Sequence, residues 1–214
     1  MKKEEKVTDR RSFVKQSSLL AIGSASLLGF APVAKAEQQT SQNDINIVGP
    51  KEGFTPQIGT LVSMMNWMRN TMLYPVRGLS VKELDYIHDA NSIGAMLLHL
   101  AATERFYQIH TFENKKWGDW SREDQKRWAT ASALGAEGRK KIKGYNLDFY
   151  LDALSEVRAN SLKEFAKRDD EWLLKVDEDW FWGPTNNYCK WFHVCEHESN
   201  HNGQIKWLKS RLST

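Results

Sequence analysis

Between Trp191 and Leu212 one row of side chains repeats at intervals of four and three: His193, His197, His201, Ile205, Leu208 and Leu212. Residues at that spacing stack on one helix face, with Cβ atoms about 6 Å apart. The far end of the row is apolar, so the row faces a core, and the three histidines share its interior stripe. Imidazoles in an interior are costly unless hydrogen-bonded or bound to a metal. A divalent ion removes that cost by taking the neutral nitrogen of each ring. The segment therefore demands a helix packed against others, and a further ligand from one of them.

Three more stripes accompany it. Ile58, Leu61, Val62, Met65, Met68 and Met72 recur at three and four residues, after Thr55 as a cap and Pro56 at the first helical position. Pro75 and Gly78 end that helix, and a short helical piece lies around Val81–Ile87. A second helix starts at Asn91 or Ser92, turns Ile93, Met96, Leu97, Leu100 and Ala101 inward, and runs towards His110. A third covers Leu147 to Lys167, with Leu151, Leu154, Val157, Leu162 and Phe165 inward. The fourth runs from Thr185 to Leu212, after a break at Trp180–Pro184. Residues 111–146 form a long connection with a short helix from Arg122 to Leu134. No segment shows sustained strand-type alternation. The pattern predicts an all-α four-helix bundle in which the long connection crosses over, so that the second and third helices run parallel.

A pair of histidines four apart gives two adjacent ligands, and the third must come from another helix. His99, inside the run Leu97-Leu98-His99-Leu100-Ala101-Ala102, is the candidate. Spacing alone does not choose which of His193, His197 and His201 join it. Glu104 lies about 140° round the helix from His99, which makes it an orienting group or a solvated charge rather than a ligand. Asn200 and Gln204 are read as hydrogen bonders behind the ligands or as polar filler at the bundle mouth. Cys189 and Cys195 are six residues apart, about 9 Å along a continuous helix. That exceeds the usual disulfide separation, so two separate thiols are expected.

The N-terminus reads as an address. Asp9-Arg10-Arg11-Ser12-Phe13-Val14-Lys15 precedes a short, weakly apolar stretch, Leu19–Phe30, and then the cleavage pattern Ala34-Lys35-Ala36. The paired arginines resemble a twin-arginine signal, with Asp9 where that pattern usually has Ser or Thr. An ordinary Sec signal with adjacent arginines is the alternative. The expected organisation is a signal peptide at 1–36, a polar flexible lead-in at 37–53 and a helical domain at 54–214. The partner implied is the twin-arginine export machinery, and the location the periplasm or cell envelope.

Removing the signal also corrects the charge. The whole chain carries +3, but residues 1–36 hold seven Lys/Arg and three Asp/Glu, so the remainder is at −1. A near-neutral domain with no basic stripe excludes nucleic acid as a partner. Nine tryptophans favour a packed core or an aromatic-lined pocket.

The order of elements, His99 with Glu104, the stretch Ala133-Leu134-Gly135-Ala136-Glu137-Gly138-Arg139, the Val157-Arg158 region and the ending His197-Glu198-Ser199-Asn200-His201-Asn202-Gly203-Gln204-Ile205 resemble the DinB-like superfamily over residues 54–212. Asn202 stands where that family often has Arg. The resemblance implies a bundle with a crossover between its second and third helices, and a zinc or nickel ion on His99, His197 and His201. It assigns His193 to the pocket wall or to the groups behind the ligands. Three histidines leave a coordination position open, as catalytic metals require. The implied function is a metal-dependent transferase or hydrolase using a metal-activated water or thiol on a small molecule; no separate general base is identified. A non-catalytic metal- or ligand-binding envelope protein is the alternative, and a structural bundle, as a homodimer, is the third reading.

Overall fold

The computed structural model describes residues 45–88 and 91–212, so the leader expected at 1–36 lies outside the described residues. Helix α1 spans Pro56–Leu73 behind Thr55, whose side chain makes no cap bond. The Thr55 hydroxyl instead donates to Asp170, and the same carboxylate accepts the backbone N–H groups of Gln57 and Ile58. An anion at this end satisfies orphan donors and suits the helix dipole. Asn46 and Gly49 of the lead-in bond to Trp67 and Ser63, which ties its end to α1. A 3-10 turn, Tyr74–Val76, follows, then α2 (Val81–Leu84) with Ser80 and Glu83 as a capping box.

Helix α3 is Ile93–Thr111, capped by Ser92. The expected short helix appears as α4, Arg122–Ala133. Leu134 and Gly135 then take φ values of 53° and 63°, and an unforeseen helix, α5 (Gly135–Lys141), leaves in a new direction. Helices α6 (Leu147–Phe165), α7 (Asp170–Leu174) and α8 (Asn187–Lys209) complete the chain, with Asn146, Asp169 and Asn186 as caps. Strands β1 (Val176–Asp177) and β2 (Thr185–Asn186) pair antiparallel around the break at Trp180–Pro184. Two-residue strands are too short for alternation to register in a sequence. None of the described helices is long and apolar enough to cross a membrane.

Side-chain pairings fix the direction of each long helix. Gly94 abuts Tyr150, Glu104 binds Arg158 and Gln108 binds Ser161, so α3 and α6 run the same way. His99 meets His197, Tyr107 meets His193 and Thr111 meets Trp191, so α8 runs against α3. Arg69 with Glu198, and Pro75 with Lys209, set α1 along α8. The bundle is up-down-down-up, and the 112–146 connection is the crossover that this order requires.

The apolar core is divided. One cluster holds Met72, Leu97, Leu100, Tyr150, Leu154, Ile205 and Leu208; the other holds Ile58, Leu61, Tyr107, Phe165, Trp191 and Val194. Between them each long helix contributes one charge: Arg69, Glu104, Arg158 and Glu198. Arg69 donates to Glu104 at 2.8 Å and to Glu198 at 2.5 and 2.9 Å. Arg158 donates to Glu104 at 2.9 and 3.2 Å and to Glu198 at 2.9 Å, and Ser161 adds a bond to Glu104. Glu104 is 0% exposed. Such charges survive burial only because each meets an opposite partner.

Candidate metal centre

Because α8 runs against α3, the histidine stripe of one faces the middle of the other. His99 of α3 and His197 and His201 of α8 offer ligand nitrogens that all lie within 4.8 Å of one another. Nε2 of His99 is 2.9 Å from Nε2 of His197, and the ring centroids of His99 and His201 are 5.0 Å apart. Two helices thus aim three imidazoles at one point.

The crossover completes the arrangement. Nδ1 of His99 lies 2.9 Å from the Ala131 carbonyl. Ala131 is in the last turn of α4, where carbonyls lack helical partners. With Nδ1–H donated there, the His99 lone pair sits on Nε2, pointing at the other rings. Burial lowers the pKa of His99. Burial, with the charge of the neighbouring imidazoles added, pushes His197 down to about 3. Burial and the charge of His99 push His201 down to about 4, partly offset by Gln204. All three rings are neutral near pH 7 and have lone pairs to give.

The donor set fits a divalent ion. Nδ1 of His201 is buried with no hydrogen-bond partner among the described residues, and the Nε2–Nε2 approach of His99 and His197 leaves at most one proton between two lone pairs. Three neutral nitrogens on rigid helices suit a divalent transition-metal ion better than the oxygen-seeking ions.

His193 stands apart from the cluster. Its Nδ1 is 2.7 Å from the Tyr107 hydroxyl, its ring meets Trp182 at 5.0 Å and His197 at 5.5 Å. Burial raises the Tyr107 pKa, so the phenol keeps its proton beside His193. His193 lines a half-open cavity of about 310 Å³ with Phe106, Tyr107, Trp117, Phe181 and Trp182. Asn200 and Gln204 are exposed and bond each other at 3.0 Å. Glu104 bonds to arginines and Ser161, with no bond to the histidines. Cys189 and Cys195 are both free thiols, as their spacing indicates.

Sequence reasoning missed a second polar cluster. Lys190, 1% exposed, donates to Asp177 at 2.6 Å, lies 3.0 Å from Nε2 of His110, and sits over the Trp180 ring at 4.3 Å. It anchors β1, and with it the loop of Phe181 and Trp182, to α3 and α8. A single Lys in a helix and an Asp thirteen residues earlier carry no spacing signal. Arg69 likewise escaped notice, since it sits on the Met stripe of α1 but resembles a surface charge.

A family model described as mycothiol-S-transferase matches residues 60–213. No curated protein matches the chain.

Proposed function

The chain belongs to the mycothiol-S-transferase family, within the DinB-like superfamily, and on that basis we propose that it is a metal-dependent enzyme of transferase type, with hydrolase chemistry as the close variant. The proposed ligands are His99, His197 and His201, and the proposed ion is zinc or nickel. The observation that carries the reading is the convergence of three neutral imidazoles, from two helices distant in sequence, within 4.8 Å.

When bound, such an ion lowers the pKa of a thiol or a water towards neutrality and so supplies a nucleophile. The protein's own contribution is positional. The Ala131 carbonyl fixes the His99 tautomer, the ionic layer sets the roll of α8, and the aromatic walls beside His193 shape the approach to the ligands. His193, hydrogen-bonded to Tyr107 through Nδ1, is a wall of the pocket rather than a ligand.

We also propose that residues 1–36 direct the protein through a twin-arginine route to the periplasm or envelope, which would let the bundle fold and load its ion before export. The Arg10-Arg11 pair and the Ala34-Lys35-Ala36 site support this reading.

The test is metal analysis of natively prepared mature protein, then a screen of the loaded protein with thiols plus electrophiles and with esters and amides. One equivalent of ion, and turnover abolished in His197→Ala, is expected. Unchanged turnover in that variant overturns the mechanism; stoichiometric ion without any turnover favours a binding protein of the envelope instead.

A further inference from the structure

The cavity beside His193 has a distinctive lining. Five aromatic rings and one imidazole line it, Thr103 and Ser132 add two hydroxyls, and among the described residues the lining includes no Lys, Arg, Asp or Glu. Its rings meet at mixed angles: Phe106 to Trp117 at 87° and Trp182 to His193 at 71°, but Trp117 to Phe181 at 41° and Tyr107 to His193 at 47°. Walls at mixed angles offer a guest both ring faces and ring edges, which suits a flat aromatic group. Phe181 and Trp182 are 58% and 48% exposed although they line this half-open aromatic cavity. Clustered exposed aromatics on a soluble protein mark a ligand surface.

The box is held open by design of the hairpin. Asp177 and Lys190 fasten β1, His110 buttresses them, and Trp180 packs on Trp182 at 86°. The floor is His193, whose ring is 5.5 Å from that of His197. A guest in the box therefore lies one ring away from the proposed ion.

We propose that this cavity seats the uncharged, flat aromatic group of the substrate on which the nucleophile acts. That role rests on the metal-enzyme reading above; the class of ligand rests on the lining alone. An anionic guest would find no Lys or Arg in the lining to pair with, and the proposed ion lies beyond the His193 ring. A cationic one, which an aromatic cage otherwise suits, would sit beside three neutral imidazoles that leave the ion's charge uncancelled. A neutral ring is stabilised by apolar burial and stacking without either conflict.

The experiment uses an unreactive probe, 1-nitronaphthalene, titrated into full-length mature protein in zinc-loaded and metal-depleted forms. Tryptophan fluorescence quenching and saturation-transfer NMR report binding. Saturable binding in both forms is expected, at least tenfold weaker in Trp182→Ala and in Phe181→Ala, and unchanged in Trp207→Ala. His99→Ala is expected to lose the ion yet keep the probe, so failure of the metal reading and failure of this one are separable. Both loop side chains are half exposed, so their loss spares the core, and Trp182→Phe is expected to restore most of the affinity. No saturable binding, equal binding in Trp182→Ala, or preference for a naphthyl-trimethylammonium or naphthalenesulfonate probe overturns the proposal. So does a concentration-dependent dimer that Trp182→Ala dissociates, which would give the rings to a second copy of the chain.

Discussion

Nε2 of His99 and Nε2 of His197 face each other at 2.9 Å, although 98 residues separate them in the chain. Two neutral imidazoles in that pose share one proton at best, and an ion between them gives each lone pair a partner. His99→Ala and His197→Ala are therefore expected to weaken metal binding by more than about 100-fold, since even the loss of a group behind a ligand costs ~10–100-fold. His193→Ala is expected to keep the ion. Competition with a chromophoric chelator measures all three.

Ion binding by the folded form alone raises its stability by mass action, about 2.7 kcal/mol at a free-ion concentration 100 times Kd. Thermal melts are expected to shift upward with added zinc and downward with chelator in the native protein. The His197→Ala melt is expected to ignore both. A zinc-sensitive melt in that variant would place the ion elsewhere.

Glu104 bonds to Arg69, Arg158 and Ser161 with no solvent contact. Glu104→Ala leaves two guanidiniums short of a counter-charge and is expected to cost about 3–5 kcal/mol in urea unfolding. Replacing Arg69, Glu104, Arg158 and Glu198 together by apolar residues of similar volume is expected to be far milder, and to loosen metal binding instead. A quadruple variant that loses more stability than the single one would show that the charges hold the fold rather than its register.

Burial alone would raise the Glu104 carboxyl, but the charges of Arg158 and Arg69, with hydrogen bonds from Arg158 and Ser161, outweigh it and hold the pKa below 4.5. The unfolded chain then takes up the proton first as pH falls, so the contribution of Glu104 is full above that value and is lost as pH falls through the folded one. Stability is expected to drop below about pH 4.5, less steeply in Glu104→Gln. Urea midpoints across pH 3–6 measure the slope.

Gly94 lets α3 approach α6, because a Cβ there would meet the Tyr150 ring and hydroxyl at 2.6 Å. Tyr150 is fully buried and has nowhere to retreat. Gly94→Ala is expected to cost about 1–3 kcal/mol by overpacking, read from the thermal midpoint.

The long helices were legible because each buries a stripe that repeats within its own sequence. Ser92 and Asn146 are local caps and their helices begin where a local rule places them. Thr55 obeys the same rule yet leaves the capping to Asp170, 115 residues away, which no local pattern encodes. His197 and His201 were legible through Ile205 and Leu208 further along their row, while the choice against His193 came from family likeness and not from spacing. Glu104 read as an off-stripe charge because its partners, Arg69 and Arg158, sit on other helices; only their assembly makes it interior. The leader lies outside the described residues, and the hairpin at Val176–Asn186 was too short to leave a periodic trace.

Glu198 follows His197 directly on α8, so the two side chains leave the helix about 100° apart. Rolling α8 to move either imidazole would strip a buried carboxylate of both guanidiniums that grip it. The nitrogens are thus aimed while the chain folds, before any ion arrives. The entropy of ordering them is lost in folding and is not subtracted from affinity. A rigid, pre-aimed trio also discriminates by coordination geometry, favouring ions that accept its spacing over those that need the protein to adapt.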